Sequence, residues 1–125
     1  MGTIRFGITT ADNGVAIIAP NSPLPSITDT VIIDGYTQPG SSPNTLAKGT
    51  NAVLKVELDG INAGFADGLR ILGGGAGSVI RGLVINDFAS DGISIEEGSD
   101  FDSIEGNFIG TDQAAPWRAR ISATA

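Results

Sequence analysis

Asp67, Asp87 and Asp91 are three carboxylates within one glycine-rich stretch, with Arg81 lying between the first two. Two carboxylates about 5 to 9 Å apart can hydrolyse a glycosidic bond, one protonating the leaving oxygen while the other activates water or attacks. Asp87, Asp91 and Arg81 are therefore the candidate catalytic residues, with Asp67 as a further carboxylate. The simpler reading of Asp67 and Asp91 is structural, because each precedes a glycine and Asp-Gly favours a tight bend. Glu96, Glu97, Asp100 and Asp102 form the densest acidic run and are the candidate metal ligands, since hard carboxylate oxygens suit Ca²⁺. Their spacing matches neither an EF-hand loop nor a nonapeptide Ca²⁺ repeat, and the run also reads as a solvated acidic turn.

The remaining composition narrows the chemistry. With no His and no Cys, the chain has no imidazole acid–base group, no thiolate nucleophile, no Ser–His system and no disulfide. No cofactor other than Ca²⁺ is expected. Fourteen acidic residues against seven basic ones give a net charge of −7, which repels nucleic-acid phosphates and anionic membranes. Met1-Gly2-Thr3 leads into Ile4-Arg5-Phe6 without the pattern of a signal peptide, and no apolar run is long enough to span a bilayer. Tyr36 and Trp117 could stack on sugar rings. The irregular stretch from Gln38 to Asn51, with Lys48 and the nearby Lys55, is the longest candidate functional loop.

The elements that must position these residues are short. Eighteen glycines and six prolines punctuate β-rich runs such as Thr30–Ile33, Gly68–Leu72, Ser78–Ile85, Gly92–Glu96 and Asp102–Ile109. Ala66-Asp67-Gly68-Leu69-Arg70-Ile71 returns 24 residues later as Ser90-Asp91-Gly92-Ile93-Ser94-Ile95, and Ser78 to Ile85 returns at the same offset as Asp102 to Ile109. A fixed period of this size is the signature of a solenoid. Ile33-Asp34-Gly35 and Leu58-Asp59-Gly60, 25 residues apart, read as an earlier and looser copy. The expected fold is all-β: a parallel β-helix of four to five coils over Thr3 to Asp112, about 20 Å high at the usual strand spacing.

The stack can be specified further. Leu69 should lie over Ile93, Ile71 over Ile95 and Ile80 over Ile104, filling the interior with aliphatic ladders. Gly82 over Gly106 should bend each run into two strands. Arg81 should stand over Glu105 as an exposed ion pair worth at most about 1 kcal/mol.

These repeats, with Ile27 to Gly40, Val79 to Phe88 and Ile104 to Asp112, resemble bacterial right-handed parallel β-helix proteins of the pectate-lyase-like fold. The resemblance implies right-handed coils, an extracellular or cell-surface setting, a longer parent protein and polysaccharide as the ligand class. Such folds host lyases, hydrolases, adhesins and inert spacers alike. Polygalacturonase-like members use aspartates with a nearby His, which is missing here. Pectate-lyase chemistry would need Ca²⁺ on the acidic run and an arginine base, for which Arg81 or Arg70 would serve.

The C-terminal stretch 113–125 departs from the repeats. It is expected to be the frame-shifted or truncated end of a longer gene, because its bases, regrouped from the Ala114 codon with suitable wobble choices, can spell a Gly/Ala/Asn-rich coil. Open end coils expose backbone edges and ladders, so a homo-oligomer joined through end coils or the Trp117 tail is expected. The functional expectation is a non-catalytic β-helix module that self-associates and binds carbohydrate, the alternative being a polysaccharide lyase or glycoside hydrolase.

Overall fold

The computed structural model describes residues 2–10 and 14–110, and the backbone of 121–123. The chain winds past three parallel sheets in turn and repeats the circuit, giving a β-solenoid of about four turns. The first sheet holds β1 (Gly2–Arg5), β3 (Val31–Asp34), β6 (Val79–Arg81) and β9 (Ser103–Glu105). The second holds β2 (Ala16–Ile18), β4 (Val56–Asp59), β7 (Val84–Asn86) and β10 (Phe108–Ile109). The third holds β5 (Leu69–Ile71), β8 (Ile93–Ile95) and β11 (Ile121–Ala123), and Ile27 of the first turn joins it through a single bridge to Ile71.

Registers stack like on like. Ile4, Ile33, Ile80 and Ile104 form one ladder, and Ile18, Leu58, Ile85 and Ile109 a second. Leu69 lies over Ile93 and Ile71 over Ile95, as expected from the echo. Ile71, Ile80, Ile85 and Ile93 are completely buried in the interior cluster. Burying a side chain of this size stabilises a fold by roughly 1.5 to 3 kcal/mol relative to exposure, so the ladders carry the solenoid. Gly82 adopts a φ of 71° and Gly106 a φ of 65°, and each ends a strand of the first sheet just before a strand of the second begins.

The 24-residue period holds between the last turns and fails earlier. Ile33 stacks on Ile80, almost two periods further on, because residues 38–55 are inserted between β3 and β4. The pairing of Ile33-Asp34-Gly35 with Leu58-Asp59-Gly60 as successive coils is therefore corrected: β3 and β4 belong to one turn and to different sheets. What the two segments share is a corner. Asp34 Oδ1 accepts from Tyr36 N at 3.0 Å and Asp59 Oδ1 from Ile61 N at 3.0 Å, each capping a short 3₁₀ turn.

The inserted loop has its own packing. Val84 and Phe108 alternate with Ile85 and Ile109, so they face away from the interior, and Leu54, Ala52 and Tyr36 cover them. Ser42 and Val53 form an antiparallel bridge, and Asn44 and Asn51 bond across the tip. Lys48 stands exposed on that tip. Gln38, just before this hairpin, is buried and bonds both backbone groups of Ile8, at 2.7 and 2.8 Å, tying the first turn to the second. No helix among the described residues is long and apolar enough to cross a membrane.

Candidate functional site

Arg81 and Asp87 sit at different corners of one turn. Arg81 ends β6 and Asp87 follows β7, so the length of β7 lies between them. Arg81 Nε lies 3.4 Å from Asp34 Oδ1 and Nη1 lies 3.9 Å from Glu105 Oε1, so its charge is shared between carboxylates of the turns before and after. Its guanidinium sits 5.0 Å from the centre of the Tyr36 ring, a cation–π distance. A guanidinium held by two carboxylates and an aromatic ring ties three turns together as a strut.

Tyr36 is engaged within the solenoid. Its ring lies across Gly82, where a Cβ would come within 2.9 Å of the ring carbons, and its hydroxyl donates to Gly106 O at 2.9 Å. Ring and hydroxyl are thus both engaged in holding three turns together. Burial raises the phenol pKa, with Arg81 opposing that shift. A groove of about 260 Å³ remains beside Tyr36 and Arg81, walled by Pro43 and Asn44 of the inserted loop.

Asp87 has a different partner from the one expected. It adopts a φ of 58° just after β7, and its carboxyl hydrogen-bonds that of Asp59, which lies at the end of β4. Partial burial first and the Asp59 carboxylate second raise the Asp87 pKa. Asp91 is engaged through its backbone. Its N–H donates to Asp67 Oδ1 at 2.9 Å and its carbonyl accepts from Gly68 N at 2.9 Å, so Asp67 and Asp91 are stacked corner residues.

The acidic run splays apart. Arg70 Nε and Nη2 both donate to Glu96 Oε1, at 3.2 and 2.8 Å, and Ser94 Oγ donates to its other oxygen at 2.9 Å. Those bonds, Arg70 first, hold the Glu96 carboxyl below its ordinary range. Asp102 accepts from Ser78 N at 3.0 Å and from Ser99 Oγ at 2.5 Å. Glu97 and Asp100 point to solvent from the turn between. Among the described residues no three acidic side chains come close enough to hold a metal ion, because alternation along the chain and hydrogen bonding to the backbone separate them.

The concavity with the best set of ligand-binding groups lies elsewhere, on the third sheet's side. Leu24, Phe65, Asp67, Arg70 and Ser90 line a groove of about 240 Å³. Phe65 follows Gly64, which takes a φ of 80°, and is 86% exposed at the rim. Phe65 carries no periodic signal as a lone Phe in a turn; one period later stands the much smaller Ala89. Trp117 and Asp112 lie outside the described residues; of the stretch 113–125 only the backbone of Ile121–Ala123 is described, and it pairs with β8.

An aromatic face beside a guanidinium, a carboxylate and a hydroxyl can bind a polar ring by stacking and hydrogen bonding. Comparison with models of known families, with curated proteins and with solved structures gives no match for the chain. The coils themselves therefore establish its class: a parallel β-solenoid of about four turns.

Proposed function

We propose that the chain is a non-catalytic carbohydrate-binding module, part of a secreted or cell-surface parallel β-helix protein of the pectate-lyase-like type. Its coils are right-handed in this reading, as parallel crossovers almost always are. The observation that carries the proposal is the Phe65 groove: a nearly fully exposed aromatic ring on a rigid coil, beside Asp67, Arg70 and Ser90. Support comes also from the acidic side chains, most of which are engaged in holding turns and neighbouring coils rather than converging on one point. Isothermal titration with a panel of soluble polysaccharides tests it. Binding that Phe65→Ala abolishes supports the module, and no binding to any polymer of the panel refutes it.

Self-association belongs to the same reading. All four residues of β1 are exposed, and Ile4 and Ile17 of the first turn present aliphatic surface that a second copy would cover. Sedimentation that gives only monomer at high concentration overturns that part.

One observation favours a second reading, a polysaccharide-active enzyme. Burial first and the neighbouring Asp59 second raise the pKa of the Asp87 carboxyl, and a carboxyl so raised can donate a proton to a leaving oxygen. Turnover of any polysaccharide that Asp87→Asn removes would displace the non-catalytic reading.

A further inference from the structure

The groove beside Phe65 also carries information about which sugars fit it. Arg70 is the one cation among its described lining residues, and its Nε and Nη2 both donate to Glu96 Oε1. Ser94 holds the second oxygen of Glu96, so the ion pair is fixed at both ends. Asp67 lines the same groove, and its Oδ1 is held by the backbone N–H of Asp91. The lining carries one positive and one negative charge, Arg70 and Asp67; Glu96, outside the lining, binds Arg70 and offsets it, on a chain whose net charge is −7. The remaining polar groups, Ser26 and Ser90, are neutral hydroxyls.

From this arrangement we infer that the groove selects neutral pyranosides and discriminates against uronates and other anionic sugars. The inference rests on the carbohydrate-binding reading above. A pyranose ring with its C–H face on Phe65 places its hydroxyls toward Ser90, the outer oxygen of Asp67 and the free N–H groups of Arg70. Carboxylates are strong acceptors of sugar hydroxyl donors, and Arg70 donates to ring and hydroxyl oxygens without giving up Glu96. A uronate carboxylate in that position meets the Asp67 carboxylate, and the Arg70 charge that could offset it is already shared with Glu96. The groove is smaller than clefts that enclose drug-sized ligands, so it takes one ring of a longer chain and binds weakly.

The test is a titration of the whole chain with two defined probes, a neutral β-linked glucose hexasaccharide and hexagalacturonate, at low and high salt. The neutral probe binds in the millimolar range, about tenfold or more tighter than hexagalacturonate, with little change on adding salt. Asp67→Asn removes the charge but keeps the oxygen that accepts from Asp91 N–H, so the coil is retained; it narrows the preference to threefold or less by strengthening uronate binding. Phe65→Ala weakens both probes. Equal or tighter binding of hexagalacturonate by the unaltered chain overturns the neutral-sugar inference while sparing carbohydrate binding. Failure of both probes, with a folded chain by circular dichroism, refutes the carbohydrate reading itself.

Discussion

Phe101 occupies the turn position that Gly77 holds one coil earlier, and both adopt left-handed backbone, φ 62° for Phe101 and 80° for Gly77. The equivalence follows from the register of the adjoining strands, Val79 over Ser103, and from the bond of Gly77 N to Asp100 O at 2.9 Å. Glycine takes this conformation freely, whereas a bulky side chain is strained there by roughly 1 kcal/mol. Phe101 gains little in return, because it is 95% exposed. Phe101→Gly should therefore raise the melting temperature, by the equivalent of about 0.5 kcal/mol after the added freedom of the unfolded chain is subtracted. Gly77→Ala should lower it. If thermal denaturation ranks the two variants the other way, the shared turn geometry is wrong.

The interior ladders should respond far more strongly. Ile80 is completely buried between Ile33 and Ile104, and replacing it with Ala should cost about 2 to 5 kcal/mol. Ile17 is 61% exposed on the neighbouring face of the first turn, so Ile17→Ala in the monomer should change stability by no more than about 0.5 kcal/mol. Urea unfolding of both variants measures the contrast.

The corner at Tyr36 makes a third prediction. Tyr36→Phe removes the hydroxyl that reaches Gly106 O and should cost about 0.5 to 1.5 kcal/mol. Gly82→Ala should cost more, since its new Cβ would meet both a left-handed backbone and the Tyr36 ring. Arg81→Gln should cost only about 1 kcal/mol, because its ion pairs are partly exposed. Chemical denaturation in which Gly82→Ala costs no more than Tyr36→Phe would remove Tyr36 from its place at this corner.

Two carboxyls should give stability opposite dependences on pH. The Asp87 pKa is raised in the folded chain, so its contribution is full below the ordinary value of 3.8 and is lost as pH climbs through the raised value. The Glu96 pKa is lowered, so its contribution is present above the ordinary value of 4.5 and is lost as pH falls through the lowered one. Asp87→Asn keeps a donor toward Asp59 and carries no charge. Its melting temperature should gain on that of the unaltered chain as pH rises from about 3 toward 7, and Glu96→Gln should fall behind over the same range. Parallel curves for Asp87→Asn and the unaltered chain would mean that the Asp87 pKa is not raised in the folded chain.

The sequence was most legible where one coil copies the next without insertion. Leu69 over Ile93, Ile80 over Ile104 and Arg81 beside Glu105 all follow from that copy. The stacking of Ile33 on Ile80 was hidden because residues 38–55 stretch the intervening turn to nearly twice the period. Asp34-Gly35 and Asp59-Gly60 misled for a local reason: an Asp that caps a 3₁₀ turn recurs at corners within one turn as readily as between turns. The approach of Asp87 to Asp59 needed both that longer offset and a left-handed Asp87, neither of which residue types announce. Phe65 was invisible because its meaning lies in its exposure and in neighbours drawn from three turns of the solenoid, Leu24, Arg70 and Ser90.

Titration of the isotopically labelled chain with the neutral β-linked hexasaccharide, followed by amide chemical shifts, tests the central claim most directly. Shifts should concentrate at Phe65, Ala66, Asp67, Arg70 and Ser90 and leave Tyr36, Arg81 and Gly106 unmoved. Saturable shifts centred on Tyr36 and Arg81, or none at Phe65, would contradict the assignment of the Phe65 groove as the carbohydrate site.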